Sequence, residues 1–194
     1  MLQSYKDGLA IIAIVLTVFA FYPYIRGIFE NKVKPHLFTW IVWALTTFIA
    51  AVIQVVKGAA SGAWSTLLAA LLCFWVVGLS VRRGSKDIRK IDWFFLLASL
   101  SAIPLWIMME DPTWSAVLVT GIEIVAAFPT LRKSWLYPEQ ESTSSYTINT
   151  FRYLLGAIAV EKYSIATLIY PVGMVLLSGL ISVVLIMRGR TKKL

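Results

Sequence analysis

Long apolar runs alternate with short polar or basic turns along the whole chain. An α-helix needs about 20 apolar residues to cross a hydrocarbon core. On that measure the runs predict membrane helices over roughly 8–29, 36–57, 61–81, 91–109, 113–132, 144–161 and 164–187. The sixth is the least apolar, because Asn149, Arg152 and Tyr153 interrupt it. Pro23 falls inside the first run and Pro129 near the end of the fifth. Membrane helices tolerate such prolines, since neighbouring helices re-satisfy the carbonyl that a proline leaves without a donor.

The polar residues between the runs decide how the seven segments count. If all seven cross, 14 of the 18 lysines and arginines fall on one side, in Arg26–Lys34, Arg82–Lys90, Arg132–Lys133 and the tail from Arg188. Only Lys6, Lys57 and Lys162 fall on the other, and Arg152 lies within a span. The positive-inside bias then puts the N-terminus outside and the C-terminus in the cytoplasm. Removing the sixth span would move the basic tail to the side of Glu110 and Asp111 and blur that asymmetry, so seven spans is the better count.

The outline also repeats at an offset of 106 positions: Pro23 is answered by Pro129, Arg26 by Arg132, Trp40 by Tyr146 and Arg82 by Arg188. Few of the paired residues are identical. The signal is the shared order of span, proline, arginine, polar turn, aromatic-led span, tight turn, span and arginine, of the kind that transporter repeats leave in a sequence. Two parallel copies of three spans face the same way only if a single helix separates them. The division expected is therefore 1–83 for a first three-helix bundle, 84–112 for a linker helix and 113–194 for a second bundle.

Composition agrees with this outline. The chain is 59% hydrophobic and 14% charged, against roughly 45–50% and 25% in soluble domains, which predicts an all-α integral membrane protein. The net charge of +8 is dispersed over short turns and forms no continuous basic face, so anionic lipid headgroups on the cytoplasmic side are the expected partner and nucleic acid is not. A lone cysteine, Cys73, rules out an intrachain disulfide. A lone histidine, His36, follows Pro35 in a basic turn and reads as a surface or capping residue. Neither metal nor cofactor is expected. Catalytic signatures are missing, and the last span has no lysine for a retinal Schiff base, so no enzyme or photoreceptor is expected. The first apolar run lacks a small-residue cleavage site and reads as a retained helix in a bacterial inner membrane. A homo-oligomer is left open.

The stretch Pro23-Tyr24-Ile25-Arg26, the basic turn to Lys34-Pro35-His36, Trp40 with Trp43, and Pro129-Thr130-Leu131-Arg132 together resemble the PQ-loop and SWEET-type transporters. That resemblance covers nearly the whole chain. It implies two three-helix bundles joined by an inversion-linker helix, an external N-terminus, and alternating access with Pro23 and Pro129 as hinges. Tyr24 and Thr130 stand where the family's namesake glutamine would be, which marks a divergent member. The third span of each unit lacks the asparagine of the sugar carriers, so a typical sugar is not expected. The Trp40-Ile-Val-Trp43 pair is similar to the aromatic platforms of related vitamin-uptake carriers and implies a flat vitamin- or nucleoside-like solute, or another small polar one. The rival expectation is a non-transporting receptor, sensor or assembly subunit of the same fold.

Glu123 and Arg152 are both ionisable residues well inside predicted spans, where a charge costs at least ~2.5–3.5 kcal/mol. Each lies eight residues from the same turn, about 12 Å deep at the helical rise, so the two are expected to meet near the middle of the bilayer. Asn149 would add hydrogen bonds. The first-unit equivalents are Thr17 and Thr46, which would make a charged site on a repeated scaffold asymmetric. Arg152 would bind an anionic group or Glu123 exchange a proton. Tyr22, Tyr24, Tyr163 and Tyr170, near span ends, read mainly as interfacial anchors.

Overall fold

The computed structural model describes residues 2–56, 60–108, 111–160 and 163–191, and these are almost entirely helical, with no strand among them. The elements are α1 (Leu2–Phe29), α2 (Leu37–Val56), α3 (Ala60–Arg83), α4 (Lys90–Ile107), α5 (Pro112–Ala126), α6 (Phe128–Leu136), a single 3-10 turn (Pro138–Gln140), α7 (Thr143–Ala159) and α8 (Ile165–Thr191). The turns at Lys57, Glu110 and Lys162 and the tail residues Lys192 and Lys193 lie outside the described residues, as do the side chains of Lys6 and Arg190.

Among the described residues, four helical stretches are long and apolar enough to cross a membrane: Gly8–Phe29, Trp64–Arg83, Thr113–Leu136 and Ile165–Gly189. Leu37–Val52 is equally apolar but shorter. Large apolar side chains such as Trp64, Leu71, Phe94 and Leu176 point outward from the bundle. In water that exterior would be an aggregation surface, so a lipid environment accounts for it.

Chain reversals follow from local chemistry. After α1 the backbone turns through Asn31, whose φ of 56° is left-handed, a conformation that asparagine tolerates better than most residues. The amides of Lys32 and Val33 then bond back to the Gly27 carbonyl at 2.9 and 3.0 Å. A Cβ on Gly27 would lie 2.5 Å from the Val33 side chain, so glycine is what permits this close return. The α5 N-terminus is capped by Asp111, which accepts from the Thr113 amide at 2.6 Å, and Ser142 caps α7; both are favoured N-cap residues.

One predicted helix is two. The run expected over 113–132 stops at Ala126, resumes at Phe128 and continues to Leu136. Pro129 has no amide hydrogen with which to continue the ladder, and it sits in the first turn of α6, where that loss is harmless. The Ala127 amide is shared between the carbonyls of Glu123 and Ile124, both at 3.2 Å. Pro23 differs, because α1 runs through it unbroken to Phe29. The two prolines therefore do not mark equivalent breaks.

In the packing, α3 lies against both α1 and α2, and α8 against both α5 and α7. Across the middle, α1 meets α7 and α2 meets α5, while α4 leans on α5 and α2 from outside. The main core gathers buried residues of α1, α2, α3, α5, α7 and α8 around Tyr24, Trp40 and Tyr146. A smaller cluster, including Phe38, Val42, Leu96 and Ile122, seats α4.

Candidate functional site

Every helix of that main core contributes a wall to an internal cavity of about 50 Å³, room for a few water molecules. From α2, Trp40, Trp43 and Thr47 face it; from α7, Tyr146, Asn149 and Tyr153. Each trio is spaced three and then four residues apart, so each lies on one helix face. Glu123 enters from α5, Cys73 from α3 and Ser178 from α8.

Glu123 is 2% exposed and sits four residues before the α5–α6 break. Its Oε1 lies 2.7 Å from Thr46 Oγ1, 3.1 Å from Thr47 Oγ1 and 3.1 Å from the Tyr170 hydroxyl. Its backbone carbonyl accepts from Trp43 Nε1 at 3.1 Å. Three hydroxyls from two other helices thus converge on one carboxylate oxygen. Each carries a single movable proton, and Thr46 Oγ1 is also 2.8 Å from the Val42 carbonyl. The Thr46 proton has two acceptors within reach, one of them Glu123.

Arg152, 4% exposed, donates from Nε to Asn149 Oδ1 at 3.0 Å and places its guanidinium 3.9 Å from the centre of the Tyr153 ring. The expected meeting with Glu123 does not occur. Both side chains line the cavity, but no ion pair joins them. Each charge has found other company: hydroxyls hold the carboxylate, and an amide with a π face holds the guanidinium. They are separate poles of one chamber.

Other sequence expectations sort as follows. Trp40 is 5% exposed; it lines the cavity and donates from Nε1 to the Tyr24 hydroxyl at 3.1 Å. Trp43 and Asn149 line the cavity as well, and Thr46 stands behind it on Glu123. Thr17 is not part of the site, since its hydroxyl is spent on the Ala13 carbonyl at 2.8 Å within α1. Tyr22 and Tyr163 are exposed, as anchors should be, but Tyr24 and Tyr170 are buried inside. A tyrosine near a span end gives the same sequence signal whether it faces lipid or the bundle. Thr47, Tyr146 and Tyr153 are cavity residues that the sequence reading does not assign to a site, although their three- and four-residue spacing from Trp43 and Asn149 points to them.

Beyond Tyr24 and Tyr146 a second buried polar group closes one end of the bundle. Lys133 on α6 and Glu141 pair at 2.6 Å with both side chains almost fully buried. Lys133 Nζ also donates to the Lys34 carbonyl, and the Lys34 amide donates to the Gln140 carbonyl at 3.0 Å. The turn after α1 is thereby clamped to the segment between α6 and α7. Tyr146 ties this clamp to the cavity, because its hydroxyl donates to Glu141 Oε2 at 3.4 Å.

His36 is fully buried nearby, which corrects its reading as a surface or capping residue. Its Nε2 lies 3.4 Å from Asp92 Oδ2, and Arg132 Nη2 lies 2.8 Å from the same oxygen. Burial pushes the His36 imidazole below its usual value, against the pull of Asp92 and with the push of Lys133 and Arg132. Pro35 and the end of α3 roof it over: the Ser85 amide bonds to the Pro35 carbonyl at 2.9 Å. Among the described residues no cluster of three or more histidine, cysteine or carboxylate side chains could hold a metal. Comparison with protein-family models, with curated proteins and with solved structures finds no match to this chain.

Proposed function

We propose that the chain is a seven-span transporter of a small polar solute, working by alternating access between two three-helix bundles, α1–α3 and α5 to α8, with α4 as the linker. The order of packing supports that architecture: α3 lies between α1 and α2 as α8 lies between α5 and α7. So does the spacing of the elements, since α2 begins at Leu37 and α7 at Thr143, 106 positions later. The proposed orientation puts the N-terminus outside and the basic clamp at the cytoplasmic mouth of a bacterial inner membrane. The arrangement is that of a divergent PQ-loop or SWEET-type carrier.

The observation that carries the reading is the chamber itself, a cavity enclosed between the two helix triplets with a buried carboxylate and a buried guanidinium in separate places on its wall. No ion pair joins the two side chains, and each is held mainly by other groups, so direct structural pairing does not explain them. Intramembrane ionisable groups without a mutual partner mark solute or proton pathways. Arg152 serves as the anchor for an anionic or strongly dipolar group, with the rings of Trp40, Trp43 and Tyr153 against its apolar part. Glu123 exchanges a proton. When Glu123 is ionised, Thr46, Thr47 and Tyr170 donate to it. When a proton arrives on Oε1, Thr46 turns its own proton to the Val42 carbonyl and accepts from Glu123. The hydroxyl cage serves both states without moving a helix. At about 50 Å³ the chamber is smaller than a vitamin-sized solute, so loading one requires the helices around it to part.

Flux into proteoliposomes tests this. Purified protein is reconstituted and screened with labelled amino acids, nucleosides, vitamins and sugars, with and without a pH gradient. A solute that accumulates with wild type and not with Glu123→Gln or Arg152→Gln supports the reading. Saturable binding of a solute with no flux under any gradient would make the chain a receptor instead.

A further inference from the structure

The chamber is not the roomier of two concavities. A groove of about 470 Å³ opens at the clamped end, between the turn after α1, the end of α3 and the Tyr137–Gln140 segment. Lys34, Arg82, Arg83 and Lys86 line it, with Asp87 as the acidic residue. Most basic side chains at this end already have a counter-charge or an acceptor. Arg26 and Lys32 pair with Glu30 at 2.7 Å, Arg132 with Asp92, and Arg83 bonds to the Phe29 carbonyl at 2.9 Å. Asp87 is also occupied, by Arg89 at 3.2 Å and Arg132 at 3.7 Å. Lys34, Arg82, Lys86 and Lys90 remain, exposed and with no side-chain partner among the described residues, and the first three border the one groove.

Their backbone is held in place. The Lys34 peptide is fixed on both faces by Gln140 and Lys133. Gly84 follows α3 so closely that a Cβ there would lie 2.4 Å from the Ser80 carbonyl and 2.9 Å from that of Pro35, which sets Arg82 and Lys86 on either side of a tight turn. Scattered basic residues at a membrane boundary are explained by topology alone. Three unmatched cations on a rigid rim around a volume within the range of small-molecule sites are not.

We infer that this groove is a binding site for a phosphomonoester, with Lys34, Arg82 and Lys86 on the phosphate and the remaining volume for the group that carries it. A dianion with three acceptor oxygens matches three separate donors, whereas a carboxylate satisfies one or two of them. The volume is far more than a bare ion fills. The phosphate can arrive on a soluble metabolite or on a lipid headgroup, and the chemistry at the rim is the same. The inference does not depend on transport, because the groove lies outside the chamber.

The test uses the full chain and two probes that share one head, glycerol 3-phosphate and phosphatidic acid. Calorimetric titration in detergent follows the first. Native mass spectrometry of protein released from phosphatidylcholine nanodiscs doped with phosphatidic acid follows the second. The expected result is one saturable site per chain for at least one probe. Its affinity should fall roughly tenfold or more in Lys34→Gln/Arg82→Gln/Lys86→Gln, in keeping with the loss of charge-assisted contacts, and stay unchanged in Lys90→Gln, an exposed basic position of the same end that does not line the groove. Binding of glycerol 3-phosphate supports a soluble ligand, and retention of phosphatidic acid alone supports a lipid. Binding of neither probe, or equal weakening by Lys90→Gln, overturns the site.

Discussion

Removing one partner of the Lys133–Glu141 pair should be among the most damaging single changes in the protein, while removing both should be much milder. At 2.6 Å and an effective dielectric of about 20, the attraction is about 6 kcal/mol. Desolvation of two buried ions offsets most of it, so the pair adds little net stability. Breaking it is different, because the survivor is left buried and uncompensated, at about 3–5 kcal/mol. Lys133→Met strands Glu141 with tyrosine hydroxyls as its neighbours, that of Tyr146 at 3.4 Å, and no cation. Glu141→Gln leaves the Lys133 cation buried with neutral acceptors alone, the Lys34 carbonyl and the introduced amide oxygen. The double variant strands neither, and the cycle should show a coupling of roughly 2 kcal/mol or more. Unfolding in mixed micelles, followed by fluorescence of the eight tryptophans, measures it. Cys73 supplies a second reading, since it is the only cysteine and faces the chamber. If the pair closes the mouth, a maleimide should alkylate Cys73 faster in either single variant than in wild type. Single losses below about 1 kcal/mol each that simply add, with unchanged alkylation, would refute both the burial argument and the clamp.

Three further outcomes follow from the same geometry. Glu123→Gln keeps an acceptor for the hydroxyl cage, so stability should change by no more than about 1–3 kcal/mol while solute flux is abolished; the swap Glu123→Arg/Arg152→Glu should not restore flux, and full recovery would show that the two act as a pair after all. Pro129→Ala returns an amide at the α5–α6 break and should slow turnover by more than Pro23→Ala, which lies in a continuous helix; equal rates would leave both as incidental. Because burial holds His36 below its unfolded value, the unfolded chain binds more protons under pH ~6.5, so stability is full above that pH and falls as the solution is acidified toward the folded value. His36→Gln should flatten that acid limb of the melting temperature, and an unchanged limb would place the titration elsewhere.

Hydropathy carried the helices well. The runs at 36–57, 61–81 and 144–161 are the helices Leu37–Val56, Ala60–Arg83 and Thr143–Ala159, though only the second of these falls among the four described stretches long and apolar enough to cross a membrane. The site was only half legible. Glu123 and Arg152 announced themselves by the cost of a charge in hydrocarbon, but not their partners, because Thr46, Thr47 and Tyr170 come from other helices and hydroxyls are unremarkable in a span. The clamp was missed for the opposite reason. Lys133 and Glu141 lie in polar sequence, where a charge costs nothing until the 3-10 turn and α7 fold over it. His36 was misread on the same ground, since nothing local shows that Asp92 and the end of α3 will cover it.

The proposed repeat has its counterpart in the chamber wall more than in residue identities. Trp40, Trp43 and Thr47 of α2 face the cavity, and so do Tyr146, Asn149 and Tyr153 of α7, each 106 positions on. Ala69 and Cys73 of α3 are matched by Met174 and Ser178 of α8, 105 positions on. A duplicated scaffold preserves which helix face looks inward, because that is set by packing, and leaves the side chains on that face free to diverge. The two charges exploit that freedom. Glu123 answers Thr17, which spends its hydroxyl on its own helix, and Arg152 answers Thr46, which instead crosses to Glu123. Both charges thus lie in the second unit, and the first contributes two of the hydroxyls that hold the carboxylate. Any motion that separates α2 from α5 must pull Thr46 and Thr47 from Glu123 together, which ties the protonation of that carboxylate to the relative position of the two units.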